Sequence, residues 1–260
     1  GRLSQGPERT EADLGVDFCV SRTVRDTARM LDAISGPGIG DVIQAPAHQR
    51  PWVDEIGADP GTLRIGLLDH HPHGQPVHDD CAAAARSAAS LLDQLGHHVE
   101  PGFPEALADS DFQARFMALW AVNRAMGIDT LNRMAGRDLG PDDVDAANWA
   151  QAEFAKNLTA VDLARANAAV LAFRRSVHQW WADGWDLLVS PIMAEPPVKI
   201  GEFIAQPGAP LAGLMRAGEV CPYTPPFNTS GQPAISLPLH WSSDGLPVGV
   251  QIVAAYGRED

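Results

Sequence analysis

Two apolar runs near the end of the chain constrain the fold more than any other feature. Residues 234–241 and 247–253 flank the four-residue segment 242–245, which ends in Asp-Gly. Asp-Gly tolerates the positive φ angles of a tight turn, so the two runs are predicted to pair as an antiparallel hairpin. In the second run, apolar residues alternate with Gly249 and Gln251. One face of that strand is therefore apolar, and the glycine allows another backbone to approach closely.

Elsewhere the chain alternates strand-like and helix-like segments. Residues 63–69 and 97–100 read as strands on either side of an alanine-rich helix at 79–95, a βαβ unit whose strands would be parallel. The remaining segments have the same two kinds of pattern: strands at 18–20 and 185–190, helices at 111–126, 141–158 and 159–183, and a weakly helical stretch at 208–218. This order predicts an α/β fold, a mixed β-sheet with helices on both faces.

Two of the predicted helices begin with the same capping signal. Thr23 is followed three residues later by Asp26, and Thr159 by Asp162, the spacing of a capping box. The first helix should end at Gly36. The second carries a buried stripe at helical spacing, formed by Leu163, Val170, Phe173, Val177 and Trp181. The arginines of this second helix, Arg165, Arg174 and Arg175, are predicted to form a solvated face.

Composition excludes several classes of function. The chain has 260 residues, 45% of them hydrophobic, and a formal net charge of −14. The length suffices for a sizeable core, and the negative charge argues against nucleic acid or an anionic membrane as a partner. We expect no signal peptide, the sequence has no 18-residue apolar run, and its three cysteines are odd in number and widely spaced. We therefore expect a cytoplasmic protein without a disulfide framework.

Three features suggest sites that we reject. Four histidines lie close together beside aspartates, but the loop that holds them is rich in Pro and Gly and nothing fixes a ligand geometry; they are His70, His71, His73 and His78. The glycine-rich segment 36–40 follows a helix rather than a strand, which favours a turn over a phosphate loop. Cys221 has no histidine nearby to act as its base. We expect no metal and no cofactor.

The hairpin and the residues before it resemble the C-terminal signature of the amidase signature family. The matching positions, at the spacing typical of that family, are Phe227, Asn228, Gly231, Gln232, Pro233, Ala234, Ser236, Pro238, Asp244, Gly245, Leu246, Pro247, Gly249, Val250 and Gln251. Residues 1–4 and 20–28 resemble the family segment that follows its Gly/Ser-rich catalytic signature. The resemblance implies that residues 1–260 are the C-terminal portion of a single, incomplete amidase signature domain.

The catalytic residues of that family have no counterpart here. Family members use a nucleophilic Ser, a second Ser and a Lys, and the sequence contains no GGSSGGS-like or GGSIR-like run. Its two lysines, Lys156 and Lys199, stand in other contexts. The resemblance implies an amide hydrolase that converts a carboxamide, or a linear or cyclic amide, through an acyl-serine. We assign no catalytic residue to this chain and expect it to be inactive alone.

Within the family, the middle helices cover the acyl-binding cleft. On the predicted helix at 111–126, Trp120 offers apolar area and Asn123 an amide, so both are candidate substrate-binding residues. The alternative is core packing for Trp120 and a solvent-facing Asn123. A small-molecule amide is the expected partner, and a homodimer stays open. Two other functions also stay open: the A subunit of an amidotransferase, and a non-catalytic scaffold or binding module.

Overall fold

The strands of the computed structural model, which describes residues 1–4, 6 and 14–260, form one five-stranded sheet. In chain order they are β1 Arg64–Leu67, β2 His98–Pro101, β3 Leu187–Pro191, β4 Ala234–Trp241 and β5 Pro247–Ala254. The spatial order is β2-β1-β3-β5-β4. β2, β1 and β3 are parallel, whereas β5 is antiparallel to both β3 and β4. The predicted mixed sheet, the parallel βαβ unit and the C-terminal hairpin are confirmed.

The helices lie between and beside these strands. They are α1 Val24–Ile34, α2 Asp79–Gln94, α3 Phe112–Ala135, α4 Ala146–Ala155, α5 Ala160–Ala182, α6 Ala212–Val220 and α7 Pro225–Ser230, with short 3-10 helices at Trp52–Asp54 and Glu105–Ala108. The helix predicted from 141 begins at Ala146 instead, because the Asp145 carboxylate accepts hydrogen bonds from the N–H groups of Ala147 and Asn148. α3 extends beyond the predicted 126, to Ala135, before Gly136.

Helices cover both faces of the sheet, as predicted. α2 packs on one face through small side chains, and the cluster there comprises Ile65, Cys81, Ala84, Ala88, Val189, Val248 and Val250. α5 and α7 cover the other face, where the cluster comprises Leu68, Leu107, Phe173, Val177, Trp181, Leu188, Ala194, Tyr223, Phe227 and Val253. The C-terminal half of the predicted stripe of α5 lies in this second cluster, while Leu163 and Val170 are only partly buried. The two clusters make the sheet the core of the molecule.

The hairpin turn has the expected geometry. The N–H of Ser242 donates to the carbonyl of Leu246 at 2.8 Å, and Gly245 has φ 77°. Gly249 also sits where a side chain would not fit, because a Cβ there would lie 2.7 Å from Ile192 and 2.8 Å from Ser236. The close neighbours of Gly249 are thus side chains rather than the backbone that the sequence suggested.

Two local predictions are wrong. Phe18, Cys19 and Val20 form no strand; Phe18 and Val20 are exposed, so no partner strand or core draws them into a sheet. The sequence Asn-Thr-Ser-Gly-Gln-Pro at 228–233 is typical of a turn and predicts one there. Residues 228–230 instead form the end of α7, and only Gly231 adopts the left-handed conformation that ends the helix, with φ 86°. Residues 1–17 are polar and without helical or strand periodicity, which predicts a turn-rich segment. Residues 5 and 7–13 of this segment lie outside the described residues.

Candidate substrate-binding region

The two candidate substrate-binding residues lie side by side on α3, and both are partly buried. The ring of Trp120 meets that of Phe116 edge-to-face at 5.1 Å, and the guanidinium of Arg124 lies 5.3 Å from the Trp120 ring centre. These contacts hold the indole in one orientation. A cavity of ≈ 270 Å³ lies between α3, α4 and the start of α5, and it is lined by neighbouring residues of α3 rather than by Trp120 or Asn123. Their assignment to substrate stays a prediction.

The glutamine of the hairpin signature holds two strands and a loop together. Gln251 on β5 is buried, and its Nε2 donates to Ser190 Oγ and to the carbonyl of Tyr223, both at 3.2 Å. The hydroxyl of Ser190 in turn donates to the carbonyl of Pro191 at 3.0 Å. The amide of Gln251 is thus engaged within the fold, so this signature residue positions the segment that leads into α7.

The turn after α7 is a second buried polar element. Ser230 Oγ donates to the side-chain oxygen of Gln232, and both residues are buried. The carbonyl of Ser230 accepts hydrogen bonds from His178 Nε2 at 2.9 Å and from Arg174 Nε at 3.5 Å. Cations at a helix C-terminus complement its partial negative charge. Arg174 is therefore partly buried and engaged, which corrects its assignment to a solvated face, whereas Arg165 and Arg175 are exposed as predicted.

The Nε2 atom of Gln232 is the unusual feature of this turn. It is buried, and within the part of the chain that the structure describes it has no hydrogen-bond partner. A buried amide donor without a partner is costly, about 1–3 kcal/mol. Both N–H groups of this buried amide therefore lack a partner among the described residues at the α7–β4 turn.

The serines and lysines that the structure describes are not arranged as a nucleophile and its base. The buried hydroxyls of Ser190 and Ser230 both donate to oxygen atoms. Lys156 is exposed and pairs with Glu153 on the same helix, while Lys199 is exposed in a loop. Burial raises the pKa of the Cys221 thiol, and its sulfur lies 3.3 Å from that of Met193. A thiol of raised pKa forms little of the nucleophilic thiolate at neutral pH.

The loop histidines have structural partners. His73 Nε2 contacts the carbonyl of Leu107 at 3.0 Å, and His78 Nδ1 accepts from the N–H of Asp80 at 3.2 Å, which makes His78 the N-cap of α2. Over residues 1–4, 6 and 14–260, no group of three or more His, Cys, Asp or Glu side chains is placed to hold a metal ion. The sequence reasoning missed the cap because histidine is not among the residues that usually cap helices.

Comparison with known proteins identifies the family. The Amidase family profile matches residues 1–260. The chain belongs to the amidase family. The chain is also 41% identical over 270 residues to the 6-aminohexanoate-cyclic-dimer hydrolase of Paenarthrobacter ureafaciens, covering 100% of this chain and 55% of that enzyme. A more distant relative is the putative amidase AmiA2 of Mycobacterium tuberculosis, 32% identical over 273 residues, covering 100% of this chain and 51% of the relative.

Solved structures agree with this assignment. A structure of 6-aminohexanoate cyclic dimer hydrolase superposes on this amidase chain with a TM-score of 0.87 and 41% identity, covering 92% of this chain and 51% of that one. A bacterial aryl acylamidase of the amidase signature family shares the fold at TM-score 0.72 and 22% identity, covering 91% and 49%. The chain thus spans about half the length of the relatives it matches, in keeping with a portion of such an enzyme. The described helices include none of the length and apolarity needed to cross a membrane.

Proposed function

We propose that residues 1–260 are the C-terminal portion of one amidase signature domain and act as part of an amide hydrolase. The reaction is conversion of a linear or cyclic amide to a carboxylate and an amine. The observation that carries the proposal is the 41% identity to a cyclic-dimer hydrolase along the whole chain, together with the TM-score of 0.87. The 6-aminohexanoate cyclic dimer is accordingly the first substrate to test.

In this proposal, the chemistry runs through an acyl-serine. The nucleophilic Ser, the bridging Ser and the Lys come from residues outside this sequence, since neither Gly/Ser-rich run occurs in it. Backbone N–H groups would stabilise the oxyanion. The present chain contributes the hairpin side of the sheet and the walls of the pocket.

The decisive experiment compares the full open reading frame with the 260-residue chain. The full protein should hydrolyse the cyclic dimer and react with a serine-directed fluorophosphonate, whereas residues 1–260 alone should do neither, because positioning without nucleophile and base leaves little rate. Steady hydrolysis by the 260-residue chain, in a preparation free of other amidases, would reject the proposal that the nucleophile and its base come from residues outside this sequence. A full protein whose rate survives replacement of its Gly-flanked serines would reject the mechanism.

For substrate recognition, we propose that Trp120 and Asn123 line the acyl pocket of the complete enzyme. The fixed indole supplies an apolar wall and the amide a hydrogen-bonding group. Loss of such a contact costs about 1–3 kcal/mol, or ten- to two-hundredfold in discrimination between substrates. We would measure kcat/KM of the full protein for short and bulky amides with Trp120→Ala and Asn123→Ala. Equal changes for all amides, or no change, would remove these residues from the specificity determinants.

A second candidate function is that of the A subunit of an amidotransferase. The corresponding component of the glutamyl-tRNA(Gln) amidotransferase of Thermotoga maritima has the same fold, with a TM-score of 0.58 and 21% identity. The formal net charge of −14 disfavours a direct contact with tRNA. Co-purification with a tRNA-binding partner protein, and ammonia transfer by the complex, would favour this candidate over hydrolysis.

We also propose a cytoplasmic location, without nucleic acid or membrane as a partner. The negative net charge supports both absences. Fractionation of the native host tests the location. Light scattering of the full protein over a range of concentrations tests the homodimer left open by the sequence.

A further inference from the structure

A large cleft lies over the outer edge of the sheet, away from the hairpin. It has a volume of ≈ 1010 Å³ and runs between residues 102–109, which follow β2, and the C-terminal half of α5. This size is at the upper end of the range for small-molecule sites. Its apolar lining includes Phe103, Phe173, Trp180 and Trp185.

One wall of the cleft is a stack of two indoles. The rings of Trp180 and Trp185 are nearly parallel, 10° apart, with their centres at 4.6 Å. The guanidinium of Arg64 lies 3.9 Å from the Trp185 ring centre, which adds a cation to the stack. Since Trp180 and the Arg64 guanidinium both lie over the Trp185 ring, they cover its two faces, and the cleft is bounded by Trp180 and the edge of Trp185. This aromatic wall is rigid, so packing on it avoids the entropy cost of ordering flexible side chains.

Two glycines fix this wall against the sheet. A Cβ at Gly66 would lie 2.6 Å from the ring of Trp180, and one at Gly102 would lie 2.8 Å from the ring of Trp185. Only glycine leaves room for the indoles at these two places. The stack is therefore built into the fold rather than formed by loosely packed surface residues.

The rim of the cleft carries uncompensated negative charge. Glu105 and Asp183 both line it, and in the described ranges neither lies within ion-pair distance of a Lys, Arg or His. Among the described residues, the Asp183 carboxylate accepts a hydrogen bond only from the neutral amide of Gln179, at 2.8 Å. Arg115, the basic residue of the lining, is already engaged by Asp109 and Asp111. The rim is thus complementary to a cation.

We propose that this cleft binds a small organic amine in its protonated form. The aliphatic or aromatic body of the ligand packs on the Trp180–Trp185 stack, and its ammonium group lies against Glu105 and Asp183. An ammonium donates charge-assisted hydrogen bonds to carboxylates, and an apolar body packs on the rigid aromatic wall, so one ligand class satisfies both features of the cleft. The proposal rests on the cleft alone and holds whether or not the protein hydrolyses amides.

The test is calorimetric titration of the full protein with three ligands that share one body. n-Hexylammonium should bind at one site, and hexan-1-ol should bind about ten- to a hundredfold more weakly, because it lacks the charge-assisted hydrogen bonds. Hexanoate should bind more weakly than the alcohol. Equal affinity for the ammonium and the alcohol, or no binding of the ammonium at low millimolar concentration, would overturn the proposal.

Variants locate the site. The double substitution Glu105→Gln and Asp183→Asn should reduce hexylammonium affinity to that of hexanol while leaving hexanol binding unchanged, which also shows that the variant is folded. Asp93→Asn, an exposed carboxylate on α2, is the matched control and should bind like wild type. An unaffected double variant, or an equal loss with Asp93→Asn, would contradict the assignment. A different result would also overturn the proposal: no protein binds the amine, and dimerisation is lost in the double variant but kept in wild type and Asp93→Asn. The cleft would then be the contact site for a second copy of the chain.

Discussion

The sheet and the N-terminal region of the molecule are held together by different forces. Around the sheet, apolar side chains from distant parts of the sequence are fully buried; Leu188, Val177 and Val250 are all 0% exposed. In the N-terminal region most large apolar side chains face solvent instead, among them Val16, Phe18, Val20, Val24, Ile34, Ile39 and Val42. Only Ala28 of α1 is buried. Since burial of apolar area is the main driving force of folding, the two regions should differ in stability.

Polar contacts around one tryptophan replace a core in the N-terminal region. The N–H groups of Trp52 and Val53 donate to the two oxygens of the Asp32 carboxylate at 2.8 and 3.0 Å. The Trp52 ring packs against His48 at an interplanar angle of 30°, with centres 3.8 Å apart, and the guanidinium of Arg2 lies 5.0 Å from the Trp52 ring centre. Such contacts position a segment, but they contribute less to the free energy of unfolding than a buried apolar face does. We infer that this region opens before the sheet does.

The largest expected effect is a cavity in the sheet. Leu188→Ala removes a fully buried side chain from the face of the sheet covered by α5 and α7, and should lower the free energy of unfolding by about 2–5 kcal/mol. The matched substitution Val20→Ala removes an exposed side chain and should change it by less than about 0.5 kcal/mol. Urea unfolding followed by circular dichroism measures both. Equal effects would mean that the N-terminal region is packed as tightly as the sheet.

A substitution at Trp52 separates local from global opening. Trp52→Ala removes the centre of the N-terminal contacts, so amide protons of α1 and of residues 52–54 should lose protection by up to about 3 kcal/mol of opening free energy. The opening free energies of amide protons in β3 and β5 should change by less than about 0.5 kcal/mol. Hydrogen exchange with mass spectrometry reports both regions in one experiment. A loss of protection shared by the sheet would show that the two regions unfold as one unit.

Helix caps with the same sequence signal give a third and smaller contrast. Thr159 and Asp162 form the complete capping box of α5, with both reciprocal hydrogen bonds. At α1, the Thr23 hydroxyl accepts from the N–H of Asp26 at 3.0 Å, and no box is formed. Thr159→Ala should therefore cost about 1 kcal/mol in global stability. Thr23→Ala should cost less, because α1 contributes little to the buried core; a larger cost at Thr23 would contradict the ranking.

Features of the fold that local physics determines could be predicted from the sequence. The Asp-Gly turn, the Thr159 cap and the alternation of strands with helices each depend on neighbouring residues, and all were predicted correctly. The predicted strand at 18–20 failed because an apolar triplet forms a strand only where a partner is available. Arg174 was misjudged for a similar reason, since its partner, the carbonyl of Ser230, lies 56 residues further along the chain.

The candidate site was less predictable than the fold. A family resemblance can place Trp120 and Asn123 on a helix, but which side chains face a common pocket depends on how α3 packs on α4 and α5. The cleft beside Trp180 and Trp185 carries no motif at all. It arises because Gly66 and Gly102, far apart in sequence, admit two neighbouring indoles, and only the assembled sheet brings these four residues together.

The smallest expected effect concerns His71, which lies on the sheet side of the comparison. Burial, followed by the nearby His73 and His70, lowers the pKa of His71 below its ordinary value. Its Nδ1 also accepts the N–H of His73 at 3.0 Å, a bond that the doubly protonated ring would lose. The unfolded chain therefore binds a proton at higher pH than the folded one. The contribution of this group to stability is complete above about pH 6.5 and falls as the pH drops toward the lowered pKa of the folded state.

His71→Gln should flatten the dependence of stability on pH between about pH 7 and pH 5. The change should be smaller than that of the Thr159 cap, because the ring is partly exposed and solvent screens its charge. Urea midpoints at several pH values measure it, with His98→Gln on the exposed edge of β2 as the matched control. If the variant keeps the wild-type slope, or if the control loses it equally, the acid sensitivity of the sheet region arises from other groups. A stability that rises as the pH falls through this window would contradict the sign of the argument, since it requires a folded state that binds the proton more tightly than the unfolded chain.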